Sequence, residues 1–139
     1  IDGTDTLIDA WIQTAGGHNA ATVSGNHRPV SFEQIAVWNP DVIIIGASAG
    51  MPDAASPLRS LAAFKNGRAW INPRGVFAWD RYGAEELLQL QWVAQKLHPD
   101  LFADTNMHKA TQAFYRKFFH YPLTDQEADL ILAGKPPAP

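Results

Sequence analysis

The sequence predicts an α/β fold, a three-layer α/β/α arrangement built on a mostly parallel sheet. Two short apolar runs, 42–45 and 69–71, indicate strands, and a segment with helical spacing lies between them. A strand, a helix and a second strand in that order form a crossover unit, which is right-handed in about 98% of cases. The branched run 42–45 is typical of a strand buried on both faces, as in a parallel sheet.

Two helices are predicted before the first strand. Apolar residues recur at helical spacing over 7–15, and the glycine pair 16–17 supplies a left-handed exit. Ser31 and Gln34 have the spacing of a capping box, which predicts a short second helix. The turn residues 39–41 end it.

The second half of the chain is mostly helical by the same criteria. Residues 56–57 place a cap before a proline at a first helical position, and 65–67 stop that helix. Apolar spacing over 84–97 predicts a long helix that faces the core. Asn106 can cap the next helix, and a second capping box opens the last one, 124–134.

Composition indicates one ordinary soluble domain. The chain has 139 residues, of which 18% are charged, and a net charge of -3. A protein that binds nucleic acid would need a basic excess or patch, and none is visible. The absence of cysteine excludes disulfides, thiol nucleophiles and cysteine zinc sites. We divide the chain into a single α/β lobe over 1–134 and a proline-rich tail over 135–139.

A glycine-flanked serine follows the first strand and favours one alternative function. Residues 46–50 fit the Gly-x-Ser-x-Gly nucleophile elbow, so the alternative function is a serine hydrolase that uses Ser48. Asp80 and either His98 or His108 follow in the required order. Prolines soon after the motif interrupt the helix that an elbow leads into, which favours a plain glycine-rich loop.

The histidines carry no metal signature. No two of the five stand at a ligand-pair spacing, so we expect exposed or structural roles and predict no metal site. His27 lies in a loop, 25–28, where it can meet a ligand. Glycine-rich phosphate cradles are also absent from the sequence, which argues against nucleotide binding.

The loop 73–82 after the second strand is the predicted ligand site. In open parallel sheets, ligands bind beyond the carboxyl ends of the strands. Aromatic planes beside guanidinium groups suit a flat or anionic organic ligand. The predicted ligand-binding residues are Arg74, Phe77, Trp79, Arg81 and Tyr82. The alternative is that Trp79 covers the edge of the core while Asp80 pairs with Arg81.

Several segments together resemble a known family. Residues 31–35 and 38–46 resemble the C-lobe signature of the helical-backbone periplasmic binding proteins, which serve ABC importers of iron-siderophores, haem and cobalamin. The helix end at 15–17, the loop 77–81 and the step 99–102 resemble the same lobe. Each motif is modest alone, and their order makes the resemblance specific.

The resemblance implies a transport function. Family members have two Rossmann-like lobes joined by a long helix, with the ligand between them. It implies that this chain is the C-terminal lobe, with the N-terminal lobe and most of the linking helix missing. The implied protein is no enzyme and has no intrinsic cofactor; it captures an iron-siderophore or similar metal chelate, or haem or cobalamin, for the permease. The implied location is the periplasm, or the outer face of the cytoplasmic membrane as a lipoprotein. Because the chain begins at Ile1 rather than Met, we expect a mature or trimmed product.

The resemblance also implies a docking residue. In the family, a surface glutamate of the Ser-x-Glu-Gln helix docks onto arginines of the permease, and the matching residue is Glu33. Its alternative role is that of a first-turn acid favoured by the helix dipole. A third hypothesis for the whole chain is a stand-alone interaction domain that uses the face around Trp79.

Overall fold

A computed structural model of the protein describes residues 1–136. Its regular elements, in chain order, are α1 (Leu7–Thr14), α2 (Phe32–Trp38), β1 (Ile43–Ile45), a 3-10 helix (Pro57–Ser60), α3 (Ala62–Lys65), β2 (Ala69–Ile71), α4 (Glu86–Leu97), α5 (Met107–Phe114) with a π-helical turn (Tyr115–Phe119), and α6 (Asp125–Leu132). Part of the predicted tail 135–139 lies outside the described residues.

The strands β1 and β2 pair in parallel, with Ile43 opposite Ala69 and Ile45 opposite Ile71. This pairing confirms the predicted α/β fold with a parallel sheet. Because the strands run in the same direction and in register, the loops 46–56 and 73–82 leave the sheet at the same end.

The predicted burial of the first strand on both faces is wrong. All three residues of β1 are only half-buried. Within residues 1–136 the sheet has two strands, so β1 has a strand neighbour along one edge only. A branched apolar run predicts a strand, but it does not report how many neighbours that strand has.

The core lies between the sheet and four helices. Apolar side chains of α1, α4, α5 and α6 form one cluster, which includes Trp11, Leu88, Phe114 and Ile131. Ile44 of β1 and Trp70 of β2 pack against this cluster from the sheet. The helical layer therefore covers the sheet face on which the middle residue of each strand lies.

The predicted helix starts are largely confirmed by capping bonds. The Ser31 hydroxyl accepts a hydrogen bond from the Gln34 amide at 3.2 Å. Asn106 caps α5 in the same way at 3.0 Å. Thr124 begins α6 with both bonds of a capping box. The segment after Pro57 differs from the prediction, because it forms a 3-10 turn and a separate short α3 rather than one helix.

None of the helices within residues 1–136 combines the length and apolarity needed to cross a bilayer.

Candidate functional site

The loop 73–82 is anchored by one buried carboxylate. Glu85, at the start of α4, is 2% exposed. Its oxygens accept hydrogen bonds from the amides of Val76 at 3.1 Å and Phe77 at 3.0 Å, and from the indole N–H of Trp79 at 3.2 Å. The Tyr115 hydroxyl donates a further bond to it. Four donors on two parts of the chain therefore hold the loop in one conformation.

The same network explains a glycine in the loop. A Cβ on Gly75 would overlap the Tyr115 hydroxyl and the Glu85 carboxylate, so only glycine allows the loop to pass here. Burial, with the nearby Glu85 carboxylate adding to it, raises the pKa of Tyr115 well above its usual range. Tyr115 is therefore a neutral donor at physiological pH.

The predicted stacking role of Trp79 does not fit its position. Its side chain is fully buried in the core, with its indole N–H satisfied by Glu85, so it has no free ring face for a ligand or a partner protein. The hypothesis of an interaction domain built on Trp79 loses its surface for the same reason. Phe77 and Tyr82, in contrast, are 56% and 82% exposed.

Arg81 is turned toward the start of the chain. Its guanidinium lies 3.5 Å from the Asp2 carboxylate and 3.9 Å from that of Asp80. The alternative pairing of Asp80 with Arg81 is therefore present. Burial raises the pKa of Asp80, and the charge of Arg81 opposes that shift. The guanidinium thus lies between two acids on different segments.

Asp2 also brings a histidine loop to this place. Its carboxylate accepts the backbone N–H of His27 at 2.9 Å, and the imidazole Nδ1 lies 3.9 Å away. His27 is held at a φ of 52°, a left-handed conformation uncommon for a residue other than glycine. Its imidazole is 78% exposed, and the side chain of the adjacent Arg28 is exposed as well.

The sequence contains little that points to His27, apart from the glycine in its loop 25–28. His27 and Arg81 are far apart in the chain, and each contacts Asp2 separately. Asp2 therefore contacts both His27 and Arg81, and Arg28 follows His27 in the chain with its backbone bonded to Ile1. We refer to these four residues as the Asp2 cluster.

Arg74 lies apart from that cluster. It lines a groove formed with the π-helical turn and α6, and its backbone N–H bonds to the Ile131 carbonyl at 3.1 Å. The two arginines predicted to share a site thus belong to different neighbourhoods of one loop.

Glu33 is fully exposed in the first turn of α2. Hydrogen bonds from its own backbone and from Ser31 lower the pKa of its carboxyl. The side chain is therefore charged and accessible, as a docking residue must be, and as an ordinary first-turn acid also is.

The geometry around Ser48 does not support a hydrolase. The serine is exposed in a turn between residues 47 and 49, and it does not have the positive φ that an elbow nucleophile adopts. Within residues 1–136 its hydroxyl has no hydrogen bond to a histidine. In the same range, no group of three or more acidic or histidine side chains could hold a metal ion.

These features define a lobe that presents loops at the carboxyl end of a parallel sheet, as solute-binding proteins do. No protein-family model matches the chain. The chain is similar instead to individual periplasmic solute-binding proteins of ABC transporters, and the similarity supports one lobe of such a protein.

Three relatives support this comparison. The molybdate-binding protein MolA of Haemophilus influenzae is 30% identical over 127 residues, which are 84% of this chain and 35% of MolA. The structure of MolA bound to molybdate overlays with a TM-score of 0.69 and 27% identity, and the overlay covers 88% of this chain and 40% of the MolA chain. A periplasmic solute-binding protein from Veillonella parvula gives a TM-score of 0.82 at 30% identity, and the overlay covers 94% of this chain and 43% of that protein. An ABC transporter solute-binding protein from Sulfurospirillum deleyianum gives a TM-score of 0.75 at 26% identity, and the overlay covers 94% of this chain and 42% of that protein. The chain therefore spans less than half the length of each relative. None of these names supports an iron-siderophore ligand.

Proposed function

We propose that the chain is one lobe of the periplasmic solute-binding component of an ABC importer, and that the Asp2 cluster contacts an anionic ligand. The observation that carries the proposal is the overlay of 94% of the chain on a periplasmic solute-binding protein at 30% identity. The ligand surface follows from position, since the loop 73–82 leaves the carboxyl end of β2.

The charges of the Asp2 cluster suit a small oxyanion. Arg81, and Arg28 next to His27 in the chain, offer planar forks of N–H donors, and the exposed His27 imidazole adds ring nitrogens. The carboxylates of Asp2 and Asp80, which both lie near the Arg81 guanidinium, oppose them. The ligand named for MolA is molybdate, an oxyanion of this kind, so molybdate is the first candidate for this chain.

A larger organic chelate is the second candidate, and one observation favours it. Phe77 and Tyr82 expose most of their aromatic surface beside the same loop. Such rings can stack on a siderophore, haem or cobalamin, and a bare oxyanion would leave them unused. An iron chelate is therefore the second proposed ligand, and titrations with molybdate and with a ferric catecholate distinguish it from the first.

The proposal includes two partners. A second lobe would close over the ligand, because a cleft between lobes encloses far more of a ligand than one surface can. The permease would meet α2, where Glu33 is exposed and charged. The place of action would be the periplasm.

The test is a titration of the isotopically labelled chain, followed by the amide signals of each residue in NMR spectra. Molybdate, sulfate and a ferric catecholate are added in separate series. We expect weak binding, at roughly millimolar concentrations, because one lobe keeps part of the contacts while the cost of immobilising the ligand stays nearly whole. Shifts should centre on residues 26–28 and 77–82.

Two variants sharpen the assignment. Arg81→Gln should weaken molybdate binding by about tenfold, since it removes a charge-assisted contact. Arg116→Gln, at an exposed position of the π-helical turn, is the matched control and should bind as the parent does. Signals that move only elsewhere, or an Arg81→Gln variant that binds molybdate normally, would refute the site. A response to the catecholate alone would favour the second candidate.

A further inference from the structure

A second concave surface lies on the other side of the loop 73–82. It is a groove of about 500 Å³ between that loop, the π-helical turn and α6. Its floor and walls are largely apolar and are formed by Tyr115, Phe119, Tyr121, Leu123, Leu130 and Ile131. The volume falls within the range of about 300–1,000 Å³ that is usual for small-molecule sites.

Two cations mark one end of this groove. The backbone N–H of Arg74 bonds to the Ile131 carbonyl at 3.1 Å, and that of Lys135 bonds to the Leu130 carbonyl at 2.9 Å. Both residues line the groove, and these bonds place them at the C-terminal end of α6. Among residues 1–136, neither side chain takes part in a salt bridge.

The acid that lines the groove is already engaged at the opposite end. Glu127, in the first turn of α6, accepts bonds from the Thr124 amide at 2.8 Å and its hydroxyl at 2.9 Å, and from the Tyr121 hydroxyl at 2.7 Å. These bonds lower the pKa of Glu127, so its charge is held in the capping box. At the rise of an α-helix, about 7–8 Å along the axis separate Glu127 from the far end of α6.

We propose that this groove binds a single-chain amphiphile with an anionic head, such as a medium-chain fatty carboxylate. The head lies against Arg74 and Lys135, and the alkyl chain lies over the apolar floor toward Leu123 and Phe119. The charge pattern selects the anion and its direction, since a cationic head would meet two like charges. A groove of this size accommodates one free molecule along its floor, whereas membrane surfaces are bound by protruding amphipathic faces. The inference is independent of the proposed transport ligand.

The experiment is calorimetric titration of the whole chain with dodecanoate below its micellar concentration. Dodecyltrimethylammonium and dodecanol serve as head-group controls, and phosphatidylglycerol vesicles test a membrane source. We expect saturable binding of one dodecanoate per chain, at least about tenfold tighter than either control. Vesicles should not bind.

Three variants locate the ligand. Lys135→Gln should weaken dodecanoate binding about tenfold and leave the molybdate response unchanged, which separates this site from the Asp2 cluster. Lys65→Gln, which removes an exposed lysine outside the groove, is the matched control. Leu130→Trp fills the groove and should abolish binding, and its circular dichroism verifies the fold.

Several results would overturn the proposal. These are no saturable binding, equal affinity for the cationic and anionic chains, vesicle binding that exceeds dodecanoate binding, or unchanged affinity in Lys135→Gln. Amide signals that move with dodecanoate at 26–28 rather than at 115–135 would assign the ligand to the Asp2 cluster and would equally refute it.

Discussion

Replacing Glu85 by alanine should strongly destabilise the lobe, because this residue at the start of α4 anchors the loop 73–82. The substitution removes the acceptor of four donors, of which the Trp79 indole N–H and the Tyr115 hydroxyl are buried. Each buried donor left without a partner costs about 1–3 kcal/mol, while the amides of Val76 and Phe77 lie near solvent and can bond to water. We therefore expect a loss of about 3–5 kcal/mol in the free energy of unfolding.

Urea unfolding followed by tryptophan fluorescence and by circular dichroism measures this loss. A domain of this length has a total stability of about 5–15 kcal/mol, and each kcal/mol corresponds to about 3–4 °C, so the melting temperature of the variant should fall by about 10–20 °C. Glu86→Ala is the matched control, because its carboxyl lies one residue further on and outside the network. It should change the unfolding free energy by less than about 1 kcal/mol.

Loss of the Glu85 network should also change amide hydrogen exchange in the loop 73–82. The amide of Phe77 should exchange with solvent faster in Glu85→Ala, since its acceptor is gone, and the amide of Val76 should change less, because it also donates to the Tyr115 hydroxyl at 3.2 Å. If Glu85→Ala loses less than about 1 kcal/mol, or if it matches Glu86→Ala, the carboxylate is not the anchor of the loop. The reasoning that Trp79 is structural would then lose its support.

Three further predictions concern pH and docking. Because the pKa of Tyr115 is raised in the folded chain, the unfolded chain releases the phenolic proton at a lower pH, and stability should fall as the pH rises above 10.0. The fall should be less steep in Tyr115→Phe. Urea unfolding midpoints measured at a series of pH values test this. Burial lowers the pKa of Lys96, whose ammonium lies 4.9 Å from the centre of the Trp70 ring and 5.7 Å from that of the Trp92 ring. Just below pH 10.5 the unfolded chain therefore binds more protons than the folded chain, so stability should rise with pH there. Lys96→Met should remove that rise in the same urea experiment. Glu33→Ala, introduced into an importer that contains this lobe, should leave ligand affinity nearly unchanged and reduce uptake, because an exposed rim charge acts on association; equal losses of binding and uptake would contradict docking.

Local patterns predicted the helices well because caps and stops are decided within a few residues. Ser31, Asn106 and Thr124 each bond to an amide three residues ahead, so their roles can be deduced from spacing alone. The burial of β1 could not be deduced in this way. It depends on which strands lie beside it, and that is a property of the whole sheet.

The orientation of side chains in the candidate site could not be deduced from local sequence either. A loop with three aromatics and two arginines indicates a ligand, yet the loop uses Trp79 to fill the core and Glu85 to hold its own amides. Composition cannot distinguish an indole that faces solvent from one that faces the core. The side chains that form the core around Trp79 come from helices further along the chain, among them Leu88, Phe114 and Tyr115.

The Asp2 cluster also explains how a cationic surface can exist without a ligand. An unpaired guanidinium beside other cations would raise the local potential, and Asp2 balances Arg81 at 3.5 Å while it fixes the backbone of His27. A bound anion would meet an Arg81 guanidinium that is already oriented, and it would compete with the Asp2 and Asp80 carboxylates for that guanidinium. Preorganisation favours binding, and the competing carboxylates weaken it. A lobe built in this way should hold an anion loosely alone and more firmly when a second surface excludes water, because the lower dielectric strengthens every remaining contact.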